Sequence, residues 1–130
     1  MLRLNETKDE VGVVADQLGN PTYALDIADA LLAVARRIRE DTSPGLRGVF
    51  HMTGSGEATW ADFAERIFEN AHARGRPFTR VKRITTADYP TPARRPANSR
   101  LDNGKLRRAY GLALPEWRES LAVCCARLIS

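Results

Sequence analysis

Short apolar segments alternate with amphipathic segments along the chain, and this alternation constrains the fold more than any other feature. Segments 11–15 and 79–85 are rich in β-branched residues and predict strands, and segment 48–53 (GVFHMT) predicts a buried strand. Apolar residues recur with helical spacing in segments 22–40 and 60–74, which predict helices. Strands that alternate with helices are typical of an α/β fold, here with few short strands and about four helices.

Residues that favour helix ends flank the predicted helices. Thr22 is expected to cap helix 22–40, and Thr59 with Asp62 three residues later resembles a capping box. Gly75 suits the position just after the second helix. The apolar face predicted for helix 22–40 comprises Leu25, Ile27, Leu31, Ala35 and Ile38.

Two further helices are predicted near the C-terminus. Asp102 is expected to cap a short helix that ends at Gly111, and Pro115 fits the first turn of the last helix. The last helix is expected to bury four side chains, namely Trp117, Leu121, one of Cys124 and Cys125, and Leu128. At the other end, residues 1–10 resemble the end of an amphipathic helix. That pattern suits a piece of a longer protein, and a short frayed helix explains it equally well.

Composition excludes several classes of protein. The 130 residues suit a single domain. Acidic and basic residues are interspersed despite a net charge of +4, so nucleic-acid binding is not expected. No apolar run approaches the roughly 20 residues that cross a bilayer, and the N-terminus lacks a signal-peptide pattern. A cytoplasmic location is therefore the expectation.

The sequence offers no metal site and no recognisable catalytic group. Adjacent cysteines such as Cys124 and Cys125 rarely pair with each other, and no histidine or cysteine pair lies at metal-ligand spacing. His51, in an apolar segment, is expected to be a core residue. The Gly54-Ser55-Gly56 turn is a weak match to a dinucleotide motif, because Thr59 occupies the position of the third glycine.

The tyrosines also lack the partner that reductive chemistry needs. In short-chain dehydrogenases a tyrosine exchanges a proton with the substrate, and a lysine four residues later lowers the pKa of that tyrosine. The residues four positions after Tyr23, Tyr89 and Tyr110 are Ile27, Ala93 and Leu114. No residue of the chain is therefore expected to be catalytic.

Two segments remain as candidates for ligand binding. The first, DQLGNPT (16–22), follows a predicted strand, and ligands of open α/β sheets bind near the carboxyl ends of strands. The second, YPTPARRPANSRLD (89–102), is stiffened by prolines and carries arginines that can bind phosphate in a bidentate way. We expect Gln17 and Arg95 to face one cleft. The candidate binding residues are Asp16, Gln17, Pro21, Thr22, Arg94, Arg95, Asn98 and Ser99.

These segments resemble a known family. DQLGNPT, GVFHMTGSGEATWADFAERIF (48–68), YPTPARRPANSRLD and LPEW (114–117) occur in the order and spacing of the C-terminal half of the dTDP-4-dehydrorhamnose reductase family. The resemblance implies that residues 1–130 form the sugar-nucleotide-binding C-terminal portion of an NAD(P)-binding, Rossmann-like extended short-chain dehydrogenase, without the N-terminal Rossmann half. Trp60 would then serve packing rather than ligand contact.

The resemblance also implies partners. An intact family member reduces dTDP-4-dehydro-L-rhamnose with NADPH or NADH, which its N-terminal domain binds, so this chain alone is expected to hold no cofactor and to be inactive. The implied partners are a dTDP-sugar and that Rossmann domain, and a homodimer is an assembly the resemblance allows. A non-enzymatic dTDP-sugar-binding module and a small arginine-rich nucleic-acid binder are the alternatives.

Overall fold

A computed structural model describes residues 1–129. Five helices and four short strands form an α/β fold, as the sequence predicts. Two single turns of 3-10 helix, Pro44–Leu46 and Thr86–Asp88, lie between them. In chain order the elements are α1 (Leu2–Asn5), β1 (Glu10–Val14), β2 (Leu18–Gly19), α2 (Ala24–Glu40), β3 (Ala58–Thr59), α3 (Trp60–His72), β4 (Arg80–Ile84), α4 (Gly104–Tyr110) and α5 (Trp117–Leu128).

The main sheet consists of β1 and β4, which pair in parallel from Glu10 with Arg80 to Val14 with Ile84. The strand predictions for 11–15 and 79–85 are confirmed to within one residue at each end. In the part of the chain that the structure describes, β1 has β4 as its sole neighbour, so its other edge is open. The Ala15 N–H donates to the Ile84 carbonyl, and the direction of main-chain groups alternates along a strand. The main-chain groups of Gly12 and Val14 therefore point to the open edge.

The core forms where α3 packs against this sheet and α5. Ala61, Ala64 and Ala71 on the inner face of α3 are fully buried, and these small side chains allow the helix backbone to approach the sheet closely. Phe68 is the large buried side chain of the same helix. The α3 helix begins with the predicted capping box, since the Thr59 N–H donates to Asp62 Oδ2 (2.8 Å) and the Asp62 N–H to Thr59 Oγ1 (3.1 Å). The core cluster comprises Val13, Ala58, Ala61, Ala64, Ile67, Phe68, Trp117, Leu121 and Cys125.

Other helix ends differ from the predictions by one residue. Tyr23, not Thr22, is the first flanking residue of α2, and it makes no side-chain cap. Asp102 lies one position before the N-cap residue Asn103, although its carboxylate still accepts the Gly104 N–H at 2.7 Å. Gly111 ends α4 with a φ of 67°, as its type predicts. Capping motifs in a sequence therefore predict the position of a helix end to within one or two residues, and not the terminal residue itself.

The last helix also begins later than expected. Glu116 precedes α5 and its side chain accepts the Arg118 N–H, so Pro115 lies outside the helix. Trp117, Leu121 and Cys125 are buried as predicted, but Leu128 is exposed. The core contacts of α5 continue through Cys125 to Ile129, and Leu128 lies on the solvent side of this last turn.

The predicted strand at 48–53 is wrong. None of these residues belongs to a strand, Val49 is 78% exposed, and His51 is exposed rather than in the core. The Asn103 side chain instead accepts the Thr53 N–H (3.2 Å) and donates to the Thr53 carbonyl (3.1 Å), as a neighbouring strand would. The apolar pattern indicated an extended segment correctly, but pairing depends on tertiary neighbours that the pattern does not contain.

Helix α2 is confirmed as an element, but its apolar face is largely uncovered. Ala30 is its single buried residue, and Leu25, Leu31 and Leu32 are exposed. A helix of 17 residues with an apolar stripe normally packs that stripe against another element. No helix among residues 1–129 is long and apolar enough to cross a membrane.

A glycine contact positions the first candidate segment, and this contact generates a prediction. A Cβ added at Gly54 would overlap the Pro21 carbonyl oxygen, and the Gly54 N–H donates to Thr22 Oγ1 (3.0 Å). Gly54→Ala should therefore lower the free energy of unfolding by about 1–3 kcal/mol, the usual range for overpacking. Chemical denaturation measures the change.

Gly45→Ala is the matched control, because a Cβ at Gly45 meets no atom within 4 Å. It should leave the denaturation midpoint nearly unchanged. Equal effects of the two substitutions would show that the approach of Gly54 to Pro21 does not constrain the fold.

Candidate functional site

The two candidate segments meet beside the carboxyl end of β1. The Leu18 N–H donates to the Ala97 carbonyl (2.8 Å), and the Ser99 N–H donates to the Leu18 carbonyl (2.9 Å). The Ser99 hydroxyl donates to the same carbonyl at 3.0 Å. The short strand β2, which the sequence did not predict, therefore joins segment 16–22 to segment 89–102.

Asn20 fastens both segments to the start of α3. Its side-chain nitrogen donates to the Gly56 carbonyl (2.8 Å), and its side-chain oxygen accepts the Leu101 N–H (2.8 Å). Arg100 adds an ion pair with Glu57 (2.5 Å) and donates through Nε to Asn98 Oδ1 (3.0 Å). The Asn98 side chain thus holds its own loop, and Arg100 is neutralised within the fold.

A chain of hydrogen bonds connects three side chains at the end of β1. Thr86 Oγ1 donates to Asp16 Oδ1 (2.7 Å), and Gln17 Nε2 donates to Thr86 Oγ1 (3.0 Å). The Thr86 N–H also contacts both oxygens of Asp16, each at 3.0 Å. This backbone bond, followed by the hydroxyl bond, lowers the pKa of Asp16 below its ordinary value of 3.8. Asp16 is therefore a carboxylate at neutral pH.

Two clefts open beside these contacts. The Ser99 cleft has a volume of about 370 Å³, and its lining includes Gln17, Pro21, Thr22, Trp60 and Ser99. The Arg95 cleft has a volume of about 460 Å³. Its lining includes Gln17, Trp60, Thr86, Tyr89, Thr91 and Arg95. Both volumes lie in the range of small-molecule sites, and Gln17 and Trp60 form a wall common to the two clefts.

One end of the Arg95 cleft has a different character. Four consecutive residues, 11–14, line it. Side chains alternate between the two faces of a strand, so a groove lined by consecutive residues runs along the strand edge. This end of the cleft is the open edge of β1, and the candidate ligand-binding residues Gln17 and Arg95 belong to the rest of the cleft.

The predicted binding residues fall into two groups. Gln17 and Arg95 share one cleft, as expected, and Gln17 shares the other with Pro21, Thr22 and Ser99. Asp16, Arg94 and Asn98 line neither cleft. Asp16 and Asn98 bond to neighbouring loop residues instead.

Two residues that line the clefts were not expected there. Trp60 is 53% exposed and lines both clefts, so its packing within residues 1–129 is incomplete, and the choice between packing and ligand contact stays a prediction. Its place in the first turn of α3 projects it past the end of the apolar face. Thr86 was not considered at all; its signal was its position at the end of β4, directly opposite Asp16 at the end of β1. Within residues 1–129 no three His, Cys, Asp or Glu side chains cluster closely enough to hold a metal ion.

A parallel sheet with clefts beside the carboxyl ends of its strands is typical of α/β ligand-binding modules. Comparison with known proteins is more specific. The family model described as RmlD substrate binding domain matches residues 1–130. A dTDP-4-dehydrorhamnose reductase from Sinorhizobium fredii is 54% identical over 121 residues, which cover 92% of this chain and 40% of that protein.

Two solved structures have the same fold. A dTDP-4-dehydrorhamnose reductase from Clostridium acetobutylicum superposes with a TM-score of 0.85 at 35% identity, over 98% of this chain and 41% of that one. The Bacillus anthracis reductase in complex with NADP has a TM-score of 0.75 at 31% identity, over 92% of this chain and 39% of that one. The chain belongs to the RmlD substrate-binding domain family, and it spans about two fifths of the length of these relatives.

Proposed function

We propose that this chain is the dTDP-sugar-binding part of a dTDP-4-dehydrorhamnose reductase, which reduces dTDP-4-dehydro-L-rhamnose to dTDP-L-rhamnose with NADPH or NADH. The observation that carries the proposal is the cleft shared by Gln17 and Arg95. The names of the relatives support the substrate class. A reaction between a nucleotide sugar and NAD(P)H suits the cytoplasm.

Each cleft residue has a role in this proposal. The Arg95 guanidinium binds the diphosphate, because its planar donors match phosphate oxygens in pairs. Gln17, at the wall between the clefts, contacts the sugar, and Trp60 offers an aromatic face to the sugar or the base. Asp16 and Asn98 keep the two loops in position, and Pro21, Thr22 and Ser99 complete the Ser99 cleft.

We assign no cofactor-binding role to the Gly54-Ser55-Gly56 turn. This turn packs against the residues around the start of α5. The Ser55 N–H donates to the Pro115 carbonyl (2.9 Å), and Gly56 lies close to Glu116 and Trp117. Two of the turn's backbone donors, the Gly54 and Ser55 N–H groups, are thus already bonded within the fold, so no step of the reaction is assigned to this turn. The cofactor supplies the hydride in the intact enzyme, and this chain contributes substrate orientation.

A second domain would complete both the sheet and the chemistry. The open edge of β1 offers the main-chain groups of Gly12 and Val14 for another strand, and a two-strand parallel sheet is marginal alone. The exposed apolar face of α2 is a further surface to cover. We assign these surfaces to the Rossmann domain of the same enzyme. A homodimer stays a prediction.

Binding without catalysis is the second candidate function. The candidate contacts Gln17, Arg95 and Ser99 all belong to this chain. A non-enzymatic dTDP-sugar-binding module therefore remains the alternative. Calorimetry with dTDP-L-rhamnose, together with an assay for NADPH oxidation, separates binding from turnover.

Arg95→Ala tests the assignment of the diphosphate. A hydrogen bond to a charged group contributes about 1.5–3 kcal/mol, so the substitution should weaken dTDP-L-rhamnose binding roughly tenfold or more. In an intact enzyme it should raise KM more than it lowers kcat. Titration calorimetry measures the first effect and steady-state kinetics the second.

Arg94→Ala is the matched control, since it removes the same charge from the adjacent residue outside both clefts. We expect its affinity to stay within about twofold of the wild type, which is a difference of about 0.4 kcal/mol. Equal losses from both substitutions would show that general positive charge, rather than the Arg95 cleft, binds the ligand.

Hydrogen exchange tests the proposed partner domain. In the chain alone, the Gly12 and Val14 amides should exchange faster than those of Val13 and Ala15, because only the odd-numbered groups face β4. In the full-length Sinorhizobium fredii relative, the amides equivalent to Gly12 and Val14 should be protected by the added strand. Fast exchange of these amides in the relative would contradict docking at the β1 edge.

A further inference from the structure

The orientation of the Gln17 side chain follows from the hydrogen bonds around it. Asp16 is ionised and can only accept hydrogen bonds. Thr86 has one hydroxyl proton and donates it to Asp16 over 2.7 Å. The same hydroxyl oxygen must then accept its second bond, and the donor it accepts from is the Gln17 amide nitrogen at 3.0 Å. The nitrogen therefore faces Thr86, and the reversed amide would place two acceptors against each other.

The remaining end of the amide is its oxygen. Gln17 is 9% exposed, so its side chain is held in a narrow range of positions. Within the described part of the chain the Gln17 oxygen accepts no hydrogen bond, while the residue lines both clefts. The wall between the clefts thus presents an acceptor, which is complementary to a hydroxyl group and not to a phosphate or carbonyl oxygen.

We propose that Asp16 and Thr86 are positioning residues that orient the Gln17 amide so that its oxygen accepts a hydrogen bond from a hydroxyl of the bound sugar. This inference rests on the proposed function and adds the direction of one recognition contact. In this arrangement the Thr86 hydroxyl is fully engaged, since it donates to Asp16 and accepts from Gln17. Both residues affect binding through Gln17, because Asp16 orients the Thr86 hydroxyl and that hydroxyl orients the Gln17 amide.

The arrangement has a consequence for specificity. A site built to bond a hydroxyl discriminates strongly against a ligand that lacks it, because the buried polar group is then left without a partner. Without the Thr86 hydroxyl, the Gln17 amide can rotate and turn its nitrogen toward the sugar. The sugar hydroxyl can then accept a hydrogen bond from this nitrogen, but its own proton has no acceptor. The sugar contact would weaken while the diphosphate contact with Arg95 stays intact.

Calorimetry with two ligands tests this inference. dTDP-L-rhamnose carries the sugar and dTDP does not, so their difference isolates the sugar contact. Thr86→Val removes the hydroxyl at nearly constant volume, and we expect about a fivefold loss of affinity for dTDP-L-rhamnose, the size of one neutral hydrogen bond. Affinity for dTDP should be unchanged. Thr86→Ser keeps the hydroxyl and should restore binding of dTDP-L-rhamnose.

A double-mutant cycle separates positioning from a structural role. In a Gln17→Ala background, Thr86→Val should have no further effect on dTDP-L-rhamnose affinity, because the group it orients is gone. Additive losses, or equal losses for both ligands in Thr86→Val alone, would overturn the inference and leave the proposed function standing. Failure of the wild-type chain to bind either ligand would instead remove the proposed function, and the sugar contact with it.

Discussion

The site depends on the pairing of Leu18 with residues 97–99. Two main-chain hydrogen bonds and the Ser99 hydroxyl attach a long proline-rich loop to the strand end that carries Asp16 and Gln17. Prolines at positions 90, 92 and 96 restrict the free loop, so ordering it costs less conformational entropy. Without this attachment Arg95 would have no fixed relation to Gln17, and neither cleft would have its second wall.

The sequence predicted features that depend on residues close together in the chain better than features that depend on distant ones. The capping box of α3 and the end of α4 at Gly111 depend on neighbouring residues and were predictable. The β-branched runs also identified β1 and β4 as strands, although the pairing between them, 70 positions apart, was not predicted. The strand at 48–53 was wrong because the pairing that decides it is distant, and the Asn103 side chain takes the place of a strand there. Family resemblance marked the two binding loops, but not the side chains within them that face a cleft.

The tertiary structure was also needed to decide which loop residues face a cleft, because this depends on contacts between distant parts of the chain. Arg94 and Arg95 are equivalent by charge and spacing, and their relation to the clefts differs. Asp16 was a candidate for ligand contact, yet its bonds are to Thr86, 70 positions away in the chain. Thr86 and Trp60 gain their positions from the ends of β4 and α3. The chemistry of a loop can be inferred from its residues, but their division into contact and support cannot.

The fold also explains a division of labour in the proposed enzyme. The two loops on this domain would orient a charged sugar diphosphate, and the cofactor-binding domain would attach at the uncovered edge of β1 and face of α2. Orientation of a substrate lowers the entropic part of a reaction barrier. Binding specificity and hydride transfer would thus reside in different domains that meet at the clefts.

Tryptophan fluorescence tests most directly whether the ligand occupies these clefts. The chain has two tryptophans; Trp60 is 53% exposed at the wall of both clefts, and Trp117 is 2% exposed in the core. Titration with dTDP-L-rhamnose should give a saturable emission change and shield the chain from acrylamide, and Trp60→Phe should abolish both signals. Binding detected by calorimetry with no change in Trp60 emission would place the ligand elsewhere and contradict the account.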